Sequence, residues 1–171
     1  DFINNIVDKN QSYTTSTNYT HWMYFCYDNN VINNRFTNNR FNNMGSGGTT
    51  YLFYNWYNYN SVRSVNVWED NRVDSNSSSG NFYTTYLYYM GSMRVSRNTF
   101  TNNSGGTGAA IRVASLGTAT VNIHNSIFRG NYSGSDFTST NADVSNGATL
   151  FIDTSCLQSS QSCTGCLVAN T

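Results

Sequence analysis

Apolar residues along this chain stand singly or at alternate positions, set off by asparagine, serine and glycine. No stretch carries the i, i+3, i+4 stripe of a helix, and β-branched and aromatic residues stand where Ala, Glu, Lys and Leu would support one. The alternation predicts short strands. One order recurs: asparagine, any residue, a large apolar residue, two further residues, asparagine. It is clearest at Asn98-Thr99-Phe100-Thr101-Asn102-Asn103 and returns at Asn5 to Asn10, Asn34 to Asn39 and Asn71 to Asn76, and, with Ser for the first Asn, at Ser126 to Asn131. Taking the apolar residue as the mark, Val7, Phe36, Val73, Phe100 and Phe128 are separated by steps of 29, 37, 27 and 28 residues. Near-regular steps of this size indicate stacked units, with an insertion in the second, at about residues 40–62.

Each repeat predicts three short strands. The first precedes the asparagine motif, as in Val65-Asn66-Val67, Met93-Arg94-Val95 and Val121-Asn122-Ile123, with alternate residues facing in. The second is the motif itself. The third follows a glycine gap: Trp22 to Tyr27, Tyr51 to Tyr54, Tyr86 to Tyr89, Ala110 to Val113 and Thr149 to Ile152. Three strands per coil separated by Asn or Gly turns make an all-β parallel β-helix of about five coils over residues 1–155, with 156–171 a cysteine-containing tail or cap. Equivalent residues then stack ~4.8 Å apart. The phenylalanines fill the interior, Val7 and Val73 fill the same slot with less volume, and each motif asparagine serves both as a left-handed bend and as a member of an amide ladder.

The motifs Phe36-Thr37-Asn38-Asn39, Phe100-Thr101-Asn102-Asn103 and Phe128-Arg129-Gly130-Asn131, with Gly108-Ala109-Ala110-Ile111, Gly147-Ala148-Thr149-Leu150 and Gly47-Gly48-Thr49-Thr50, resemble the FxxN and GGAI repeat of polymorphic-membrane-protein-type β-helices. The resemblance covers roughly residues 5–153 and implies a right-handed, pectin-lyase-like solenoid. That family's members are mostly cell-surface adhesins or surface proteins without an assigned activity.

Composition sharpens this picture. Nine basic residues balance nine acidic ones, which argues against a nucleic-acid or anionic-membrane surface. No apolar run approaches the ~20 residues of a transmembrane helix. Charged residues are 11% of the chain, a balance that fits an extracellular or cell-surface protein. Proline is absent where average usage gives about eight or nine, which suits a nearly continuous β ladder. The opening Asp1-Phe2-Ile3 reads as the middle of a longer protein or a processed product.

Four groups of residues could carry chemistry. Enzymes on the fold implied by the resemblance cleave acidic polysaccharides with clustered carboxylates, sometimes through Ca²⁺, and a basic residue. The corresponding candidate is Asp70, Arg72 and Asp74 on one strand face with Arg97 one coil along; the alternative is a solvated charged patch beside a turn. His21 and His124 lie in different coils without a nucleophile at informative spacing, and no cofactor or metal is expected. Cys156, Cys163 and Cys166 suggest a disulfide in the tail, in an oxidising compartment, rather than a zinc site lacking a fourth ligand. Cys26 lies four coil steps, about 19 Å, from Cys156, too far for a direct bridge. It is buried and free, or linked to a tail cysteine, including one from a neighbouring subunit.

Five glycosylation sequons begin at Asn10, Asn18, Asn76, Asn102 and Asn131. Asn10, Asn76 and Asn131 fall on the ladder position, so Asn18 and Asn102 are the better acceptors. Tyr51, Tyr57, Tyr59, Tyr86 and Tyr88 belong to alternating aromatic runs on adjacent coils. Period-two alternation leaves about half such rings outside, available for contact with another subunit or domain, for cover by the inserted loop, or for stacking on sugars. Together these features predict a non-enzymatic extracellular structural glycoprotein, a β-helical building block of a surface fibre, appendage or adhesin that self-assembles or abuts neighbouring domains. A polysaccharide lyase or hydrolase and a glycan-binding module are the alternatives.

Overall fold

The computed structural model of the chain describes residues 1–14, 17–24, 30–43, 49–56, 65–88, 92–105, 111–114, 120–129, 131, 149–153, 155 and 166–169. The described elements are all strands. The first repeat supplies β1 (Phe2–Ile3), β2 (Ile6–Asp8), β3 (Gln11–Thr14) and β4 (Asn18–Tyr24); the second β5 (Asn30–Ile32), β6 (Arg35–Thr37), β7 (Arg40–Asn43) and β8 (Thr49–Trp56). The third gives β9 (Val65–Glu69), β10 (Arg72–Asp74), β11 (Ser77–Ser78) and β12 (Asn81–Tyr88). Then follow β13 (Ser92–Ser96), β14 (Thr99–Thr101), β15 (Ile111–Ala114), β16 (Thr120–His124), β17 (Ile127–Arg129), β18 (Thr149–Asp153) and β19 (Cys166–Ala169).

Every strand pairing among the described residues is parallel. Three larger sheets match the three strands expected per repeat: β1-β5-β9-β13-β16-β18-β19, β2-β6-β10-β14-β17 and β4-β8-β12-β15. A short sheet of β3, β7 and β11 follows the second asparagine of the motif and continues to the fourth repeat as a single bridge between Ser77 and Ser104. Parallel strands that advance one repeat at a time are the arrangement a parallel β-helix requires.

The register drawn from the asparagine motif is the observed one. Val7 pairs with Phe36, Phe36 with Val73, Val73 with Phe100 and Phe100 with Phe128. The insertion divides in two: the offset is 29 residues at Ser12↔Phe41 and 32 at Asn18↔Thr50, between the first and second repeats, and 37 at Asn30↔Val67, between the second and third. Three extra residues thus fall between Asn43 and Thr49, and five between Trp56 and Val65.

Two strand assignments need correction. Thr149 to Ile152 was expected as a third strand, but β18 pairs with β16 and so belongs to the first-strand sheet; β19 then adds one more strand from the tail segment. Val65-Asn66-Val67 is shifted by one residue from the expected orientation. Trp68 pairs with Val31 and Val95 and is buried, whereas Val67 is only half-buried and pairs with Arg94. A one-residue shift exchanges the faces of a strand, and burying the large indole decides which face goes in.

Trp68 also explains how the small Val73 is accommodated. Phe2, Phe36, Trp68, Phe100 and Phe128 form one aromatic column, with successive centroids 5.8, 6.3, 6.2 and 4.9 Å apart and rings within 20° of parallel. The residue five places before each motif's apolar residue compensates for its size: Phe2 with Val7, Val31 with Phe36, Trp68 with Val73, Val95 with Phe100. Each repeat supplies one ring to this column, from the first sheet in the first and third repeats and from the second sheet in the second, fourth and fifth. Phe53 closes the third side, edge-on to Trp68 at 5.2 Å. Leu52 beside it is also buried, so strict alternation fails at this aromatic run.

Candidate functional site

The asparagine motif builds two corners per repeat, one before and one after the second sheet. Here bend and ladder belong to successive residues, where the motif suggested one residue for both. The left-handed residues are Asn4, Asn33, Asp70, Arg97 and Asn125 at the first corner and Lys9, Asn38, Ser75 and Asn102 at the second, with φ between 48 and 58°. Asn and Asp accept this conformation most readily. The following residue, asparagine at each of these bends except Asn125, where it is Ser126, turns inward.

An interior asparagine spends its whole hydrogen-bonding capacity in the stack. Asn76 Nδ2 donates to Phe36 O at 3.0 Å and to Asn103 Oδ1 at 2.9 Å, while its Oδ1 accepts from Asn39 N at 3.1 Å and Asn39 Nδ2 at 2.7 Å. Asn71 does the same with Val31 O, Asn98 Oδ1 and the N and Nδ2 of Asn34. Both are buried, and a buried amide with every donor and acceptor matched avoids the desolvation cost of burial.

Outside the ladders, the charged candidates divide into two groups. Asp70 is not on a strand face with Arg72 and Asp74, because the chain bends at Asp70 and buries Asn71. Arg97 instead grips Asp70 with both Nε and Nη2, at 2.8 and 2.9 Å. Arg97 Nη2 also lies 2.6 Å from Glu69 Oε1, and Glu69 is further held by Ser96 Oγ at 3.2 Å and Arg94 Nη2 at 3.4 Å. The Arg97 hydrogen bonds hold the Asp70 carboxyl below its usual range, and the paired carboxylates raise Arg97 in return.

Arg72 and Asp74 do share the outward face of β10, 3.1 Å apart. Asp74 Oδ1 also accepts from Thr101 Oγ1 at 2.7 Å and Asn102 Nδ2 at 3.1 Å. Burial pushes the Asp74 carboxyl up, but these donors outweigh it and leave it lowered. Asp8 repeats the clasp with Thr37 Oγ1 at 2.6 Å and Asn38 Nδ2 at 3.1 Å, and it too is lowered, first by Thr37. The sequence reading missed this clasp; its signal is an Asp one residue after the apolar mark, followed one repeat later by Thr-Asn in register.

The remaining candidates are placed as follows. Asn76 and Asn131 are buried in the ladder and Asn10 Nδ2 donates to Asn39 Oδ1 at 2.9 Å, whereas Asn102 is exposed at its corner. Asn18 begins β4, and its side chain lies outside the described residues, as do those of Tyr86, Tyr88 and Cys166 in their strands. Tyr51 is half-buried. Tyr57, Tyr59, Cys26, Cys156 and Cys163 lie outside the described residues altogether. His21 and His124 belong to different sheets. Among the described residues, no group of His, Cys, Asp and Glu could hold a metal ion, and no helix is long and apolar enough to cross a membrane.

Comparison with known protein families, with curated proteins and with solved structures finds no match to this chain.

Proposed function

We propose that this chain is a right-handed parallel β-helix of about five coils that serves as a non-enzymatic structural building block of an extracellular or cell-surface fibre, appendage or adhesin. The handedness and the surface location rest on the repeat's resemblance to polymorphic-membrane-protein-type solenoids. One observation carries the structural role: the asparagines that define the repeat are consumed in holding coil to coil, as Asn76 and Asn71 illustrate with four side-chain bonds each. The candidate charged residues Asp70, Arg72, Asp74 and Arg97 are likewise matched to one another, to Glu69, or to Thr101 and Asn102 of the next repeat. A general acid needs a carboxyl raised toward the working pH, and Asp70 and Asp74 are both shifted the other way.

The same geometry supports the assembly part of this reading. The first repeat leaves Phe2 and Val7 half-buried, where their counterparts Val31, Trp68 and Val95, and Phe36, Val73 and Phe100, are buried. A further coil stacked in register would extend the ladders and the aromatic column without a new kind of contact, and a head-to-tail contact that does not close produces a filament. Negative-stain microscopy of the native material tests this reading: fibres or appendages are expected, and discrete particles would count against it. Release of oligosaccharides from an acidic polysaccharide, with or without Ca²⁺ and abolished in Asp70→Ala, would replace the structural role with a lyase or hydrolase.

A further inference from the structure

We propose that Asn102 is an N-glycosylation site whose substituted amide remains clasped to Asp74 of the preceding repeat, an inference that rests on the extracellular reading above. Among the four sequons whose asparagine side chains are described, the geometry selects it. Asn76 and Asn131 are 0% and 2% exposed. Asn76 Nδ2 uses both hydrogens within the stack, and Asn131 Nδ2 donates inward to Phe100 O at 3.0 Å, so a sugar on either nitrogen would displace the coil beside it. Asn10 Nδ2 is turned into the same ladder. Asn102 is the residue before the ladder position, and the left-handed bend, φ 54°, aims its side chain away from the interior. Its Nδ2 makes one hydrogen bond among the described residues, to Asp74 Oδ1 at 3.1 Å.

The chemistry is compatible with that bond. Transfer from a lipid-diphosphate-linked oligosaccharide forms a bond from Nδ2 to the anomeric carbon and breaks the anomeric carbon–oxygen bond to the diphosphate. One amide proton passes to a base of the transferase. The product is a secondary amide with one N–H left, enough to keep donating to Asp74 while the sugar points to solvent.

Asn38 supplies an internal control. It occupies the equivalent corner, φ 56°, and makes the equivalent bond to Asp8 at 3.1 Å. It is followed by Asn39-Arg40, so it lacks only the hydroxyl residue of a sequon, and Arg40 is in register with Ser77, which in turn bridges Ser104 of the Asn102 sequon. Arg40→Ser should therefore create a second acceptor in the same geometry.

The test is translation of the full chain behind a secretory leader in glycosylating microsomes, followed by glycosidase release in ¹⁸O-water and peptide mapping. A label at Asn102, none at Asn76 or Asn131, and one added glycan in Arg40→Ser are the expected results. Slower exchange of the Asn102 side-chain N–H in the glycosylated chain than in its Asp74→Ala form would support the clasp; equal exchange would remove it. A translocated chain bare at Asn102, or one labelled at Asn76, overturns the site while leaving the scaffold reading to microscopy.

Discussion

The two asparagine columns of the stack share backbone geometry and differ in composition. The column after the second sheet is asparagine throughout its described length: Asn10, Asn39, Asn76, Asn103 and Asn131, each Oδ1 from Asn39 onward accepting from both N and Nδ2 of the preceding member. The column before that sheet runs Asn5, Asn34, Asn71, Asn98 and then changes to Ser126 and Ser155. Asn98 N donates to Ser126 Oγ at 3.2 Å, but Asn98 Nδ2 turns back to Ser96 O at 3.0 Å, and Ser126 Oγ donates to His124 O within its own repeat. Serine preserves the backbone bond between repeats and loses those of the amide.

Alanine substitutions should break the comparison most severely. Asn76→Ala would leave Asn39 N without its acceptor and take one bond each from Asn39 Nδ2, which keeps Val7 O, from Phe36 O and from Asn103 Oδ1, all buried. At ~1–3 kcal/mol per buried unsatisfied group, partly relaxed, the cost is on the order of 4 kcal/mol. Ser126→Ala removes one acceptor and one donor and should cost about 1–2 kcal/mol. Denaturant unfolding of both variants measures the difference, and equal losses would mean that the amides add nothing beyond the backbone bond.

The next largest effect lies in the core strands just ahead of the two columns. Trp68 stands three residues before Asn71 and Val73 three before Asn76, and their sizes compensate. Trp68→Val should cost roughly 3 kcal/mol by opening a cavity, and Val73→Phe about 1–3 kcal/mol by overpacking. The double variant moves the ring from one sheet to the other, as the second and fourth repeats already do, so it should be more stable than the sum of the singles by at least ~1 kcal/mol. Additive losses would show that the indole's position is fixed by something besides volume.

These pairings mark how far the sequence could be read. The register was legible because Asn98, Asn103 and Phe100 recur in an order that only stacking explains. The split of bend from ladder was not, because Asn is the preferred residue for both tasks: in Asn38-Asn39 and Asn102-Asn103 the two are indistinguishable by type. Asp70-Asn71 and Arg97-Asn98, read with that possibility in mind, separate them. The Val65 strand was misjudged because two valines outnumber one tryptophan in a count of alternate positions, although the tryptophan removes more surface from water. Of the charged candidate, composition showed the residues, but only the bend at Asp70 shows that its carboxylate faces Arg97 instead of Arg72.

Converting the weaker column toward the stronger is the third test. Ser126→Asn would offer Asn98 the Oδ1 acceptor found at every earlier step, and its Nδ2 could reach Val95 O as Asn98 Nδ2 reaches Trp68 O at 2.8 Å. One or two added bonds at about 1 kcal/mol each, less the strain of a larger side chain, give an expected gain of about 1 kcal/mol. A stability at or below that of the parent chain would indicate that the fifth repeat has no room for the amide.

The smallest effect distinguishes the surface ties at the two corners. Asp70, at the first, is held by the charge of Arg97; Asp74, at the second, by Thr101 and Asn102 as well as Arg72. Both folded carboxyls lie below their unfolded values. Their contribution is therefore fully present above the unfolded carboxylate pKa, ~3.9, and is lost as pH falls through the still lower folded value. The Asp70 pair is well exposed, so solvent screening keeps its contribution small. Added salt should weaken that tie more than the hydroxyl and amide bonds to Asp74. Thermal melts between pH 6 and pH 2 should show Asp70→Asn losing less stability in acid than the parent chain, with the difference shrinking at 1 M salt. Asp74→Asn should retain more of its difference at the same salt, since Thr101 Oγ1 and Asn102 Nδ2 donate to a carboxylate that 1 M salt does not neutralise. Equal salt sensitivity of the two variants would mean that Arg72, rather than the neighbouring repeat, sets the state of Asp74.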